Sequence, residues 1–230
     1  MQKSFLKNKK ILVVSPHPDD EAICAGGLII LAKKQQSKVF VLFGAIGNSR
    51  QFLTKSTNSN VRMKELKNAA KFGNYKYEII FEGDEFMRLD SVAQKSLIEK
   101  IEDATEKFKP NIVVVPSRDS FDQDHRALSS ACLTALRPLP PELRHQPEII
   151  LEAEEPYNWP NETVFAPNFF LDINTVFAEK IALLNKHATQ VRKDPFPRSE
   201  DNLRRLAGFR GCEIGVTYAE GYKLLRGKFL

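Results

Sequence analysis

Four apolar, β-branched runs in the first two-thirds of the chain, each followed by a helix-like stretch, constrain the fold more than any other feature. The runs are Ile11 to Ser15, Lys38 to Phe43, Glu78 to Phe81 and Asn111 to Pro116. The segments after them read as helices over 20–34, 60–72, 91–108 and 124–136. In 91–108 the apolar residues Val92, Ala93, Leu97, Ile98, Ile101, Ala104 and Phe108 recur close to a helical period. Strands alternating with helices give a mostly parallel sheet with helices packed on its faces. The predicted fold is α/β, and 230 residues suffice for one domain with a large core.

After Arg137 the texture changes. The stretch PLPPELRHQPE reads as a proline-rich loop, and Glu148 to Leu151 as a further strand. EPYNWPNETVFAPN is irregular, with Tyr157, Trp159 and Phe165 suited to packing the cap or to stacking on a ligand ring. Phe169 to Ile173 reads as extended and Thr175 to Gln190 as helical. The chain shows no repeat and no second domain, so the C-terminal third is predicted to be an elaborated cap.

Bulk properties exclude several classes. MQKSFLKNKK lacks the apolar core of a signal peptide, and no later stretch is long and apolar enough to span a bilayer. A cytoplasmic protein with no membrane insertion is expected. Cys24, Cys132 and Cys212 are too far apart for a CxxC motif and read as small core residues. The net charge of +5 arises between Lys186 and Leu230, which hold ten Lys/Arg against five Asp/Glu. Without interleaved aromatics or a recognition motif, this basic tail reads as solvated surface, and no nucleic-acid partner is expected.

The chemistry gathers at strand ends. Pro16-His17-Pro18-Asp19-Asp20-Glu21 follows the run ILVVS, placing an imidazole and three carboxylates where open α/β sheets bind ligands. Gly26 and Gly27 follow within the next helix, where small residues permit close packing. A second cluster, Asp119, Asp122, Asp124 and His125, follows NIVVVP. Neighbouring strand ends would let the two clusters converge. Two histidines and a carboxylate form a sufficient protein ligand set for catalytic zinc, and another carboxylate nearby is suited to take a proton from water. The same donors suit other divalent ions. A dinucleotide site is disfavoured, since the first turn has no GxGxxG and its carboxylates would repel a pyrophosphate.

PHPDDEAICAGG, residues 16–27, resembles the signature of the PIG-L (LmbE-like) N-deacetylases: PHPDDE, four residues, then GG. Asp124-His125 is similar to that family's later Asp-His pair, and Arg62 with Glu65 to its R-x-x-E element. PNFFLDI, Lys180, HATQ and TYAEGYKLL extend the resemblance along the chain. It implies a Rossmann-like fold and hydrolysis of an N-acyl group, most often N-acetyl, from an amino sugar or glycoconjugate. It further implies that His17, Asp20 and His125 bind zinc, that Asp19 is the general base for the attacking water, and that Arg62 lies near the substrate. A small N-acylated sugar is the implied partner, and a homo-oligomer is compatible with the resemblance.

One departure matters. Many members carry H-x-D-H before the helix, with an Asp two residues earlier; here Asp122 and Ser120 stand at those two positions, in SFDQDH. Protonated, Asp122 would donate a hydrogen bond to an oxyanion; ionised, it would repel one. Loss of an oxyanion donor costs roughly 10²–10³ in turnover. His187 is a candidate replacement imidazole, assisting the leaving amine or binding substrate. A non-catalytic metal- or sugar-binding descendant is the alternative reading.

Overall fold

The run Lys10–Ser15 forms strand β1, and its side chains divide by parity between two cores. Ile11 and Val13 join one cluster, Leu12 and Val14 the other. Such double burial is the reason this strand reads as a continuous apolar run rather than an alternating one. The computed structural model describes residues 5–51, 55–83, 87–156 and 164–228. Tyr157 and Trp159 lie outside these, whereas Phe165 is buried in the fold and packs under the Lys223 ammonium.

In chain order β1 is followed by α1 (Asp20–Lys34), β2 (Lys38–Ile46), the short antiparallel pair β3 (Ser49–Gln51) and β4 (Lys55–Thr57), and α2 (Ser59–Gly73). Then come β5 (Tyr75–Glu82), α3 (Gln94–Phe108), β6 (Ile112–Val115), α4 (Gln123–Ala135) and β7 (Ile149–Ala153). The cap supplies β8 (Phe169–Asp172), α5 (Phe177–Leu184), α6 (Glu200–Cys212) and β9 (Ala219–Gly227). Among the described residues the main sheet has seven strands in the order β5-β2-β1-β6-β7-β9-β8. The first five run parallel, and β9 enters antiparallel between β7 and β8. Leu28 of α1, Leu66 of α2, Ile181 of α5 and Leu203 of α6 cover one face; Leu97 of α3 and Leu128 of α4 cover the other. The α/β fold with a mostly parallel sheet is as the sequence predicts.

Three local differences have physical causes. The helix expected over 91–108 starts at Gln94, preceded by a separate 3-10 turn at Leu89–Ser91. The Leu89 amide is held by the Asp124 carboxylate at 2.9 Å, and Val92 and Ala93 are extended. The helix expected over 175–190 is α5 alone. After Leu184 the chain continues in successive turns, where Glu65 takes both the amide and the hydroxyl of Thr189, at 2.7 and 2.8 Å. The three cysteines are free thiols, but only Cys132 is fully buried; Cys24 is half-buried and Cys212 exposed. No helix of the described residues is long and apolar enough to cross a membrane.

Candidate active site

Strands β1 and β6 lie side by side, yet the chain leaves them in opposite directions. From β1 it moves outward through β2 to β5, then returns to β6 on the other flank. At such a reversal the connections diverge and leave a crevice at the carboxyl ends of the strands. The turn after β1 and the start of α4 after β6 meet there. Gly44 of β2 allows this turn to pass: a Cβ on it would lie 3.0 Å from the Pro16 carbonyl oxygen and 2.7 Å from Leu89. The Ala45 amide donates to that same carbonyl at 3.0 Å.

The turn is held in an uncommon conformation. Asp19 has a φ of 128°, in a region that costs a non-glycine residue about 1–3 kcal/mol and recurs at functional sites. Two carboxylates compensate. The His17 amide donates to Asp20 Oδ2 at 3.1 Å, and the Asp19 amide to Glu21 Oε2 at 2.9 Å.

Three ligating atoms converge. One donor atom each from His17, Asp20 and His125 lie within 4.8 Å of one another, and all three residues are buried. Asp20 Oδ2 is 3.6 Å from His17 Nδ1 and 3.1 Å from His125 Nε2. The other nitrogen of each ring is fixed by a carboxylate: His17 Nε2 lies 2.9 Å from Asp124, and His125 Nδ1 lies 2.7 Å from Glu155. Glu155 is steadied by the Ser120 hydroxyl at 2.6 Å. Oriented imidazoles backed by carboxylates, with a shared carboxylate between them, are what a divalent metal requires of a protein. The residues present therefore fit the ion that the sequence implies.

The charges sort the carboxylates into different roles. Burial pushes Asp20 toward its neutral form, but His125 and His17 outweigh it and hold its pKa well below the usual value. Asp19 moves the other way. Burial and the neighbouring Asp20 raise its pKa, and Arg198, Arg62 and His187 offset this only in part. Burial opposes charge on both site histidines, yet Asp124 and Asp20 raise His17, while Glu155 and Asp20 hold His125 well above its usual pKa. Two adjacent carboxylates pushed apart in pKa are able to divide acid–base labour between them.

A cleft of ≈ 840 Å³ opens onto these groups, a volume suited to a small organic ligand. Asp19, Asp122, His17, Asp20, His125 and Arg62 all line it. Asp122 N-caps α4, its carboxylate accepting from the Asp124 amide at 2.9 Å. Arg62 is buried near the start of α2; its guanidinium donates to the Gly47 and Pro18 carbonyls and lies 3.9 Å from Asp19. His187 does not line the cleft. The turn after α5 directs it inward, where its Nε2 lies 2.7 Å from Glu21 Oε1, an oxygen that also accepts from the Tyr75 hydroxyl. His187 is hydrogen-bonded to Glu21 behind the turn and lies close enough to Asp19 for their charges to interact. Sequence reasoning missed Glu155, Arg192 and Arg198. Glu155 follows β7 and was open to the same strand-end logic; the two arginines come from the tail read as solvated surface.

The profile of the PIG-L family, described as GlcNAc-PI de-N-acetylase, matches residues 12–136, more than half of the sequence. The chain belongs to the PIG-L family. The matched region contains His17, Asp19, Asp20, Arg62 and His125. Diacetylchitobiose deacetylase of Thermococcus kodakarensis is 26% identical over all of this chain and 88% of its own length. A probable N-acetyl-α-D-glucosaminyl L-malate deacetylase 2 of Bacillus cereus is 28% identical, over 79% of this chain and 84% of its own. Among solved structures, N,N'-diacetylchitobiose deacetylase from Pyrococcus horikoshii superposes with a TM-score of 0.72 at 22% identity, covering 97% of this chain and 86% of that one. The 4-carboxy-2-hydroxymuconate hydratase of Pseudomonas putida superposes with a TM-score of 0.77 at 23% identity, covering 96% and 98%. A hydratase on the same fold shows that the architecture alone does not choose the reaction.

Proposed function

We propose that this PIG-L protein hydrolyses the N-acyl amide, most often N-acetyl, of an amino sugar or glycoconjugate, with His17, Asp20 and His125 holding zinc or a similar divalent ion. The observation that carries the reading is the convergence of these three ligands beside Asp19, a non-ligating carboxylate that faces the cleft. The deacetylase relatives support the choice of reaction. When bound, a divalent metal here supplies Lewis acidity, lowering the pKa of water and polarising the amide carbonyl.

The chain's own groups do the rest. Asp19, with its pKa raised, accepts the proton of the attacking water and returns it to the departing amine. Glu21 holds the Asp19 backbone amide, and His187, bound to Glu21, fixes that carboxylate from behind. Arg62 and Arg198 keep the Asp19 side chain in the cleft, Arg198 Nη1 donating to its Oδ2 at 2.9 Å. A second reading, a binding module without turnover, draws on Asp122: it offers a helix-capping carboxylate where many relatives place an imidazole.

The test is acetate and free-amine release from N-acetylglucosamine glycosides by zinc-reconstituted protein and by Asp19→Asn. Release by the parent and a loss of roughly 10²–10⁴ in the variant, with metal content unchanged, is expected for removal of a general base. A zinc-loaded parent that releases nothing from any N-acyl sugar would favour the binding module instead.

A further inference from the structure

Glu65 of α2 and the stretch His187-Ala188-Thr189-Gln190 after α5 meet beside the cleft, and the chemistry assigned so far makes no use of the last residue. The turn is tied down at three of its four residues. His187 Nε2 lies 2.7 Å from Glu21, the Thr189 amide and hydroxyl both bond Glu65, and the Gln190 amide donates to the His187 carbonyl at 2.8 Å. Gln190 is only 4% exposed, yet it lines the cleft.

Its side-chain amide is oriented by a chain of bond directions. A threonine hydroxyl has one proton to give, and Thr189 gives it to the Glu65 carboxylate at 2.8 Å. Toward Gln190 its oxygen can then only accept, and Gln190 Nε2 donates to it at 3.0 Å. The reverse amide would set Gln190 Oε1 against a hydroxyl oxygen with no proton between them. The relay from Glu65 through Thr189 therefore commits the amide nitrogen and leaves Oε1 as the outstanding end. Among the described residues no donor reaches Oε1, and the atom keeps access to solvent. A fixed acceptor in a cleft wall is preorganised for a ligand donor, which loses little freedom in meeting it.

The rest of the wall decides which donor. Arg62, Arg192 and Arg198 are themselves donors, and Asp19, Asp20 and Asp122 are the acceptors a cation would choose. A neutral carbonyl oxygen suits a neutral donor. With the scissile amide at Asp19 and the three ligands, the neutral donors left on an amino sugar are its hydroxyls.

We propose that Gln190 is a specificity-determining residue whose Oε1 accepts a hydrogen bond from a hydroxyl of the bound sugar, and that Glu65 and Thr189 are positioning residues that fix its amide. The proposal rests on the deacetylase reading for the sugar and on the bond directions for the acceptor. A site built to accept from a hydroxyl discriminates against the analogue that lacks it, because the acceptor is then covered without a partner.

The test is binding of methyl α-glucosaminide and its 3-, 4- and 6-deoxy analogues to zinc-loaded protein, followed by ligand-observed NMR titration. These amines have no acyl group to lose, so binding is read without turnover, and any contact with the metal is common to all of them. One deoxy analogue is expected to bind about 3- to 10-fold more weakly than the full glycoside, the range for one neutral hydrogen bond. Gln190→Leu should bring that ratio to about one, and the analogue concerned identifies the hydroxyl. Thr189→Val removes the oxygen that orients the amide and should shrink the ratio, whereas Thr189→Ser keeps that oxygen and should leave the ratio at the parent value. This pair carries the comparison if Gln190→Leu fails to fold. Equal affinities for all the ligands in the parent protein, binding by none of them, a penalty that survives Gln190→Leu, or the same ratio in Thr189→Val and Thr189→Ser would overturn the assignment. Acetate release from the N-acetylated glycoside is measured separately. Its failure beside a hydroxyl preference that depends on Gln190 would refute the deacetylase reading and leave the acceptor standing.

Discussion

Each imidazole of the candidate metal site depends on a carboxylate that lies behind it. Asp124 has no solvent exposure and is bound at both oxygens, to His17 and to the Leu89 amide. Glu155 is likewise bound at both, to His125 and to the Ser120 hydroxyl. Such partners set which ring nitrogen carries the proton and raise the basicity of the other. Glu155→Gln is therefore expected to weaken zinc binding about 10- to 100-fold, measured by competition with a chromogenic chelator. A glutamine also presents either an amide donor to Ser120 or one to His125, and neither arrangement reproduces the parent bonds. An unchanged affinity would show that His125 needs no orienting partner. His17, Asp20 and His125 were legible because each stands just after an apolar strand, in a short motif of fixed spacing. Glu155 was hidden by an underestimate of β7, which runs through Ala153 and so brings the next carboxylates to the strand end. Arg198 had no local signal at all: it meets Asp19 across 179 positions of sequence, and only the cap's path brings the two together.

The first helix shows what continuous helical periodicity conceals at the level of an element. Residues 20–34 were predicted as one helix and do form α1, yet Ala25 breaks its geometry with φ −138° and ψ 17°. The amides that follow begin a new helical start inside the protein. Glu220 of β9 caps it, accepting from Gly27 at 2.7 Å and Leu28 at 2.9 Å, and also from Lys180 Nζ at 2.6 Å and the Tyr222 hydroxyl at 2.7 Å. The lack of a side chain at Gly27 is essential, since a Cβ would lie 2.5 Å from Ile173. Thus the antiparallel insertion β9 is tied to α1 and α5 through one buried carboxylate, and the two glycines of the motif serve this packing. Alanine is a good helix former, so nothing at Ala25 advertised the break; the evidence lay in residues from the far end of the chain. Removing one partner of a buried pair leaves the other charge unpaired, and Glu220→Ala is expected to cost about 3–5 kcal/mol by urea unfolding. Adding Lys180→Met should recover part of that loss. If the double variant is less stable than the single one, capping of the internal amides rather than the charge pair dominates. The basic tail carried a similar deception. Its charge was legible, but Arg192 and Arg198 enter the cleft, and Arg210 is committed to Glu154 and Glu213.

Across the whole molecule, three of the four histidines gather at one end of the sheet, while His145 sits apart with its Nε2 near the Pro110 carbonyl. A bound divalent ion requires neutral imidazoles and keeps His17 and His125 out of titration near neutral pH. In zinc-saturated protein His187 then remains as the buried histidine free to change its charge. Burial opposes that charge, but Glu21 attracts it strongly enough, with help from Asp19 and Glu65, to raise the pKa above the ordinary value. A pKa higher in the folded than in the unfolded chain adds stability that is fully present below the unfolded value near 6.5 and is lost as pH rises through the folded one. His187→Gln should therefore cost most at about pH 6, on the order of 3–5 kcal/mol for one member of a buried pair, and less as pH rises. Denaturant unfolding of the two zinc-saturated proteins at several pH values measures this gap. A gap that stays constant with pH would mean that His187 meets Glu21 as a neutral donor throughout, and that the link from the cap to the PHPDD turn is a hydrogen bond rather than an ion pair. A gap that narrows would place a proton-sensitive tie directly behind the general base. The cap would then hold the Asp19 turn most firmly in mild acid, where His187 is charged.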